Sequence, residues 1–135
     1  MAEPIPSIRK HITICPHTIP EDAMLSVAQK VMRTHQIRHL PVVRDGRLVG
    51  LLSERDIALV EALEGVDPRA VPVRVAMHTD VYTASPDAAL DEVLLEMAER
   101  KVGSCVVALG KEVVGILTTV DVCQSFARHL QGRGS

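Results

Sequence analysis

The feature that most constrains this chain is that it repeats itself. Sliding the 135-residue sequence along itself brings positions 18 to 56 into register with a stretch 65 residues later, without a gap. Ten aligned positions are identical: Thr18/Thr83, Asp22/Asp87, Ala23/Ala88, Leu25/Leu90, Met32/Met97, Val42/Val107, Val49/Val114, Gly50/Gly115, Leu52/Leu117 and Asp56/Asp121. Ile37/Val102, Ser53/Thr118 and Ile57/Val122 extend the match conservatively. A unit of this length that occurs only twice is too long for a solenoid repeat, and reads as a duplicated small α/β unit.

Periodicity gives each copy the same order of elements. In the second copy Ser85 and Pro86 predict a helix start, with Asp87 as a first-turn carboxylate and Leu90, Val93, Leu94 and Met97 on one stripe. The matching stripe in the first copy is Leu25, Ala28 and Met32. Two short apolar strands come next, Leu40 to Val43 and Leu48 to Leu52, joined through Asp45-Gly46, a pair suited to a type I′ turn. Val106 to Leu109 and Val113 to Leu117 repeat the hairpin around Gly110-Lys111. A second helix is expected to begin near Ser53 and near Thr118. Between the copies, Glu64 to Val73 carries Gly65, Pro68 and Pro72 and reads as a linker.

Composition narrows the function. Tyr82 and Phe126 are the only aromatic residues although 47% of the chain is apolar, so the core must be aliphatic. Net charge is −2, from 15 basic and 17 acidic residues. Stacking platforms and a basic surface are both missing, which argues against nucleic acid as a partner. The apolar runs are too short to span a bilayer and no secretory leader is evident, so a cytoplasmic protein is expected, with no membrane partner. Cys15, Cys105 and Cys123 are widely spaced, without a CxxC pair, and suit a reducing compartment.

The motif best placed for chemistry is Gly50-Leu51-Leu52-Ser53-Glu54-Arg55-Asp56, matched by Gly115-Ile116-Leu117-Thr118-Thr119-Val120-Asp121. Each copy delivers a hydroxyl and a carboxylate to a helix start as a strand ends, where unpaired N–H groups favour an anion. An ionised Asp, being acceptor-only, is also suited to a sugar diol. The same spacing is close to a capping box, which needs no ligand, and on the motif alone that plainer reading is favoured.

This doubled motif, with Arg38-His39-Leu40-Pro41-Val42-Val43 before the hairpin and Thr83-Ala84-Ser85-Pro86-Asp87 before the helix, resembles a tandem pair of cystathionine-β-synthase (CBS) domains, the Bateman module. The resemblance covers about residues 8 to 130. It implies an α/β fold of duplicated β-α-β-β-α units packed as a pseudo-two-fold disc. The first domain would span 8–63, a linker 64–75, the second domain 76–130 and a flexible C-terminal tail 131–135. Two equivalent clefts would take adenosine compounds such as AMP, ADP, ATP or S-adenosylmethionine, as a regulatory ligand that can carry Mg rather than as a required cofactor.

Carried over residue by residue, the resemblance sets Asp56 with Ser53, and Asp121 with Thr118, beside ribose and phosphate. It sets the backbone of Thr18-Ile19 and Thr83-Ala84 at the adenine edge, and Arg38 and His39, ahead of Leu40 and Pro41, toward phosphates. Arg38, His39 and Arg55 are matched in the second copy by Gly103, Ser104 and Val120, so phosphate charge would be neutralised mainly by the first copy. With so few aromatics, an adenine would have to pack on aliphatic side chains such as Ile19, Leu40, Val42 or Ala84, giving modest affinity.

Other candidates are weaker. His35 and His39 are four apart, but Ile37 and the approaching strand suggest that the helix ends between them, and Cys15-Pro-His17 lacks a second pair to complete a metal site. Gly103 to Lys111 is no P-loop, since six residues separate its glycines and Glu112 replaces the needed hydroxyl. No nucleophile has a recognisable orienting base. The expected function is a non-catalytic regulatory module that binds an adenosine nucleotide, forms a homodimer and signals to another protein. The alternative is a dimerising interaction protein with vestigial clefts.

Overall fold

The computed structural model describes residues 7–10, 12–14 and 17–132. In chain order these form a 3-10 turn at Ile8–Lys10, β1 (Thr13–Ile14), β2 (Ile19–Pro20), α1 (Leu25–His35), β3 (His39–Arg44), β4 (Arg47–Ser53), α2 (Glu54–Glu61), α3 (Val73–Ala76), β5 (Thr83–Ala84), α4 (Leu90–Arg100), β6 (Ser104–Leu109), β7 (Glu112–Thr118) and α5 (Thr119–Leu130). The β-α-β-β-α order therefore occurs twice. Two compact units result, one from residues 17–81 and one from residues 82–135 together with residues 1–16. Cys15 and tail residues 133–135 lie outside the described residues.

In the first unit the sheet order is β2-β3-β4, with β2 parallel and β4 antiparallel to β3. The apolar stripe of α1 closes on this sheet: Leu25, Ala28 and Met32 are buried with Ile19, Leu40, Val42, Leu52, Ile57 and Val73. Each large aliphatic side chain removed from water here contributes roughly 1.5–3 kcal/mol. α1 stops at Gln36, whose left-handed backbone (φ 53°) returns its N–H to the last turn. Asp45 and Gly46 both take positive φ, 52° and 77°, as the type I′ turn requires.

The second unit repeats this plan, with sheet order β1-β7-β6-β5 and a core of Ile8, Val93, Met97, Cys105, Val107 and Leu117. α4 ends at Lys101 with the same left-handed cap. The register irregularity of the β3–β4 hairpin at Val42/Val43 recurs at Val107/Ala108. One local expectation is corrected: α4 begins at Leu90 rather than beside Pro86. Ser85 to Ala88 forms a turn instead, in which the Ala88 N–H reaches the Ser85 carbonyl at 3.0 Å and the Asp87 N–H reaches Ser85 Oγ at 3.2 Å. Ser-Pro-Asp favours such a turn as strongly as a helix start.

Each unit also takes in the segment that precedes the other repeat. β1 pairs with β7 through Thr13↔Ile116, and the bridge Leu51↔His78 fixes the segment just after the linker against β4. These two pairings are related by the same 65-residue shift. So are the bonds that seat Ile8 and Val73, whose N–H groups donate to the carbonyls of Ala88 and Ala23 at 3.0 and 2.7 Å. Both residues are fully buried. The duplication thus extends past the part of the sequence in which identities are visible.

Candidate functional site

Each β-hairpin ends by handing its last residue to a helix as the N-cap. Ser53 keeps extended backbone while Glu54 onward is helical, and Thr118 does the same for α5. The Ser53 hydroxyl accepts the Asp56 N–H at 3.1 Å, and Asp56 Oδ2 accepts the Ser53 N–H at 2.8 Å. In the second repeat the corresponding distances are 3.3 and 3.0 Å. Both are complete capping boxes, so the plainer reading of the motif holds in both copies, Asp serving where Glu or Gln is more usual. The Glu54 and Thr119 N–H groups are also engaged, donating to the carbonyls of Arg38 and Gly103 at 2.9 and 3.0 Å.

Asp56 is nonetheless unusual. It is only 8% exposed and is the one buried charged residue among the described residues. Its second oxygen, Oδ1, lies 2.7 Å from His78 Nε2, in a side chain that is itself 70% exposed. A carboxylate is acceptor-only, so the imidazole donates. Nothing in the sequence pattern points to His78, which lies beyond the visible identities and belongs to no motif.

His39 sits opposite Ser53 in the hairpin, as Ser104 sits opposite Thr118. Burial lowers the His39 pKa from its ordinary value, against the pull of Asp56, and the neighbouring Arg38 guanidinium lowers it further. Arg38 is exposed and only loosely paired with Glu54 at 3.8 Å. Arg55 is exposed on the first turn of α2. The structure therefore gathers Arg38, His39, Ser53 and Asp56 at one end of β3 and β4.

Thr18 and Ile19 lie toward the other end of β3, Ile19 being paired with Val42. Three strand residues, roughly 10 Å, separate them from His39. Thr83 and Ala84 pair with Val106 and Val107, in the same relation to Ser104. Of the aliphatic side chains expected to face an adenine, Ile19, Leu40 and Val42 are spent in the core, at 2, 0 and 0% exposure, and Pro41 is buried too. Ala84 remains half-buried and Thr18 and Thr83 are exposed, so backbone and small side chains are what this end offers.

The histidines pair differently from their spacing in sequence. His17 stacks on His35 with ring centroids 3.7 Å apart, while α1 ends between His35 and His39 as expected. Among the described residues no three His, Cys, Asp or Glu side chains come together as a metal site. Burial pushes the Cys105 thiol up to about 11, whereas Cys123 is exposed on α5. A concavity of about 400 Å³ lies between α1 and α2, floored by Met32, Ile37, Ile57 and Ala58. No helix is long and apolar enough to cross a membrane, among the described residues.

The model of the CBS domain matches the chain twice, over residues 2–62 and 71–128. Hypoxic response protein 1 of Mycobacterium tuberculosis is 30% identical over 112 residues, which cover 82% of this chain and 78% of that protein. The CBS domain-containing protein YhcV of Bacillus subtilis is 28% identical over 116 residues, covering 86% and 82%. Among solved structures, the CBS domain pair of protein MJ0100 in complex with 5′-methylthioadenosine and S-adenosyl-L-methionine superposes with a TM-score of 0.83 at 28% identity. It covers 93% of this chain and 99% of that one.

Proposed function

We infer the role of this chain from its family: it belongs to the CBS domain family, with two copies in tandem, and it is a regulatory module that binds an adenosine compound. The ribose hydroxyls are taken by Asp56 and Asp121 with Ser53 and Thr118, the adenine edge by backbone at Thr18-Ile19 and Thr83-Ala84, and phosphates by Arg38, His39 and Arg55. The observation that carries this reading is the MJ0100 pair, which holds two adenosine derivatives on the same fold at 28% identity. The layout within each repeat supports it. The separation of roughly 10 Å along β3 between the level of β2 and that of His39, which pairs with the capping Ser53, is the span of an adenosine.

The module acts without catalysis, in the cytoplasm, and passes its ligand state to a partner protein. A second copy is its first partner. Support comes from α5, in which no residue is buried and Val120, Phe126 and Leu130 are each about three-fifths exposed or more. A thermal-shift screen with AMP, ADP, ATP with Mg, S-adenosylmethionine and 5′-methylthioadenosine tests the ligand. At least one should raise the melting temperature, since a ligand that prefers the native state stabilises it by mass action.

The completeness of both capping boxes favours one second reading, a dimerising protein whose clefts stay empty. Millimolar ligands without any thermal shift, together with a dimer in light scattering, would select it.

A further inference from the structure

We propose that His78 is a built-in competitor for the ligand of the first repeat, covering the carboxylate of Asp56 until a ribose displaces it. This rests on the reading of Asp56 as a ribose acceptor and names how that site is regulated. Asp56 spends Oδ2 on its own helix cap, which leaves Oδ1 for a ligand. That oxygen is the one His78 Nε2 holds at 2.7 Å, and with the imidazole in place the carboxyl side chain is only 9% exposed. A carboxylate has lone pairs to spare, so the obstacle is access rather than capacity.

The competitor is easy to move. The His78 side chain is 70% exposed, so it can swing away from Asp56 without opening the core. Its backbone stays anchored meanwhile: the His78 N–H donates to the Leu51 carbonyl and the Leu51 N–H to the His78 carbonyl, both at 2.9 Å. Ligand entry would therefore free an imidazole on the segment that leads into the second repeat, rather than unravel the strand. The equivalent backbone position in the second repeat is Thr13, by the shared register with Ile116 and Leu51. The sequence thus places a threonine where the first repeat has His78.

Calorimetric titration of AMP and of S-adenosylmethionine tests this in an Asp121→Ala background, which silences the second site. The proteins are that background alone and with His78→Ala, His78→Gln or Asp56→Ala, each first checked for an intact melting transition. Removing one exposed hydrogen-bonded competitor should tighten binding by roughly three- to tenfold. His78→Gln, whose amide can again donate to the carboxylate, should restore much of the competition, and Asp56→Ala should abolish binding. Unchanged affinity in His78→Ala overturns the competitor while leaving the ribose site standing, and weakened affinity does so too by making His78 a ligand contact. Absence of heat in every protein, the unsubstituted chain included, overturns the ribose reading and the competitor together.

Discussion

Met77 rests on Gly50 so closely that a β-carbon built on the glycine would stand 2.6 Å from the Met77 sulfur and 2.9 Å from the His78 carbonyl oxygen. The glycine is what lets the segment just after the linker lie against β4. A thioether can turn away, but the carbonyl is held in the Leu51 bridge and cannot. Gly50→Ala should therefore destabilise the fold by roughly 1–3 kcal/mol. Urea unfolding reads this directly, and an unchanged midpoint would refute it.

The capping boxes make a second prediction. Ser53→Ala and Thr118→Ala each remove the acceptor for an Asp N–H and should each cost about 1 kcal/mol, whereas Ser53→Asp, itself a good cap, should recover most of the loss. Chemical denaturation of the three variants is the measurement. If alanine were neutral at both positions, the hydroxyls would be working for a ligand and not for the helix.

Protonation of His39 should be unfavourable to the fold. Burial holds its folded pKa below the ordinary 6.5, so below pH 6.5 the unfolded chain binds the proton more readily and stability falls as pH drops. Between pH 7 and 5.5 the wild type should lose stability that a His39→Ser variant, which copies Ser104 of the second repeat, retains. Parallel slopes for the two proteins over that interval would contradict the assignment.

Of the three cysteines, Cys105 and Cys123 should differ in reactivity. Cys105 is fully buried with its thiol pushed up to about 11, while Cys123 is exposed. A thiol reagent at pH 8 should modify Cys123 quickly and leave Cys105 protected until the protein unfolds. Because the folded state disfavours the Cys105 thiolate, its contribution is present below the unfolded pKa near 9 and fades as pH approaches 11. A Cys105→Ala variant should lose less stability over that range than the wild type.

An exposed helix face should be where two copies meet. Phe126→Glu places a charge on the exposed side of α5 without touching the core of its own unit, and it should turn a dimer into a monomer at micromolar concentration. Leu59→Glu, on the exposed side of α2, is the companion variant. Light scattering that finds both variants still dimeric would move the interface elsewhere.

Phosphate charge offers a further comparison. Arg38, His39 and Arg55 have only Gly103, Ser104 and Val120 as counterparts, so ATP should lose roughly tenfold or more in affinity with Asp56→Ala and less with Asp121→Ala. Equal losses would remove the asymmetry.

Much of this molecule was written locally. The left-handed caps at Gln36 and Lys101, the positive φ at Asp45 and Gly46 and the capping boxes depend on residues a few positions apart, and the aliphatic stripes announce their own burial. The exception is instructive: Ser85-Pro86-Asp87 fits both a turn and a helix start, and the chain takes the turn there and starts α4 only after Ala89.

The duplication, the order of elements, the aliphatic core and the pairing of each hydroxyl with its acid were legible in the chain alone, because dihedral preference and periodicity act over short range. Long-range packing decided that each repeat takes in the segment ahead of the other, that Ile19, Leu40 and Val42 are closed into the core, and that His78 covers Asp56 from 22 residues away. Such contacts depend on how the segment just after the linker lies along β4. That path is set by Gly50 leaving room, by Val73 filling the core and by the Leu51 bridge, none of which a pattern of neighbouring residues encodes.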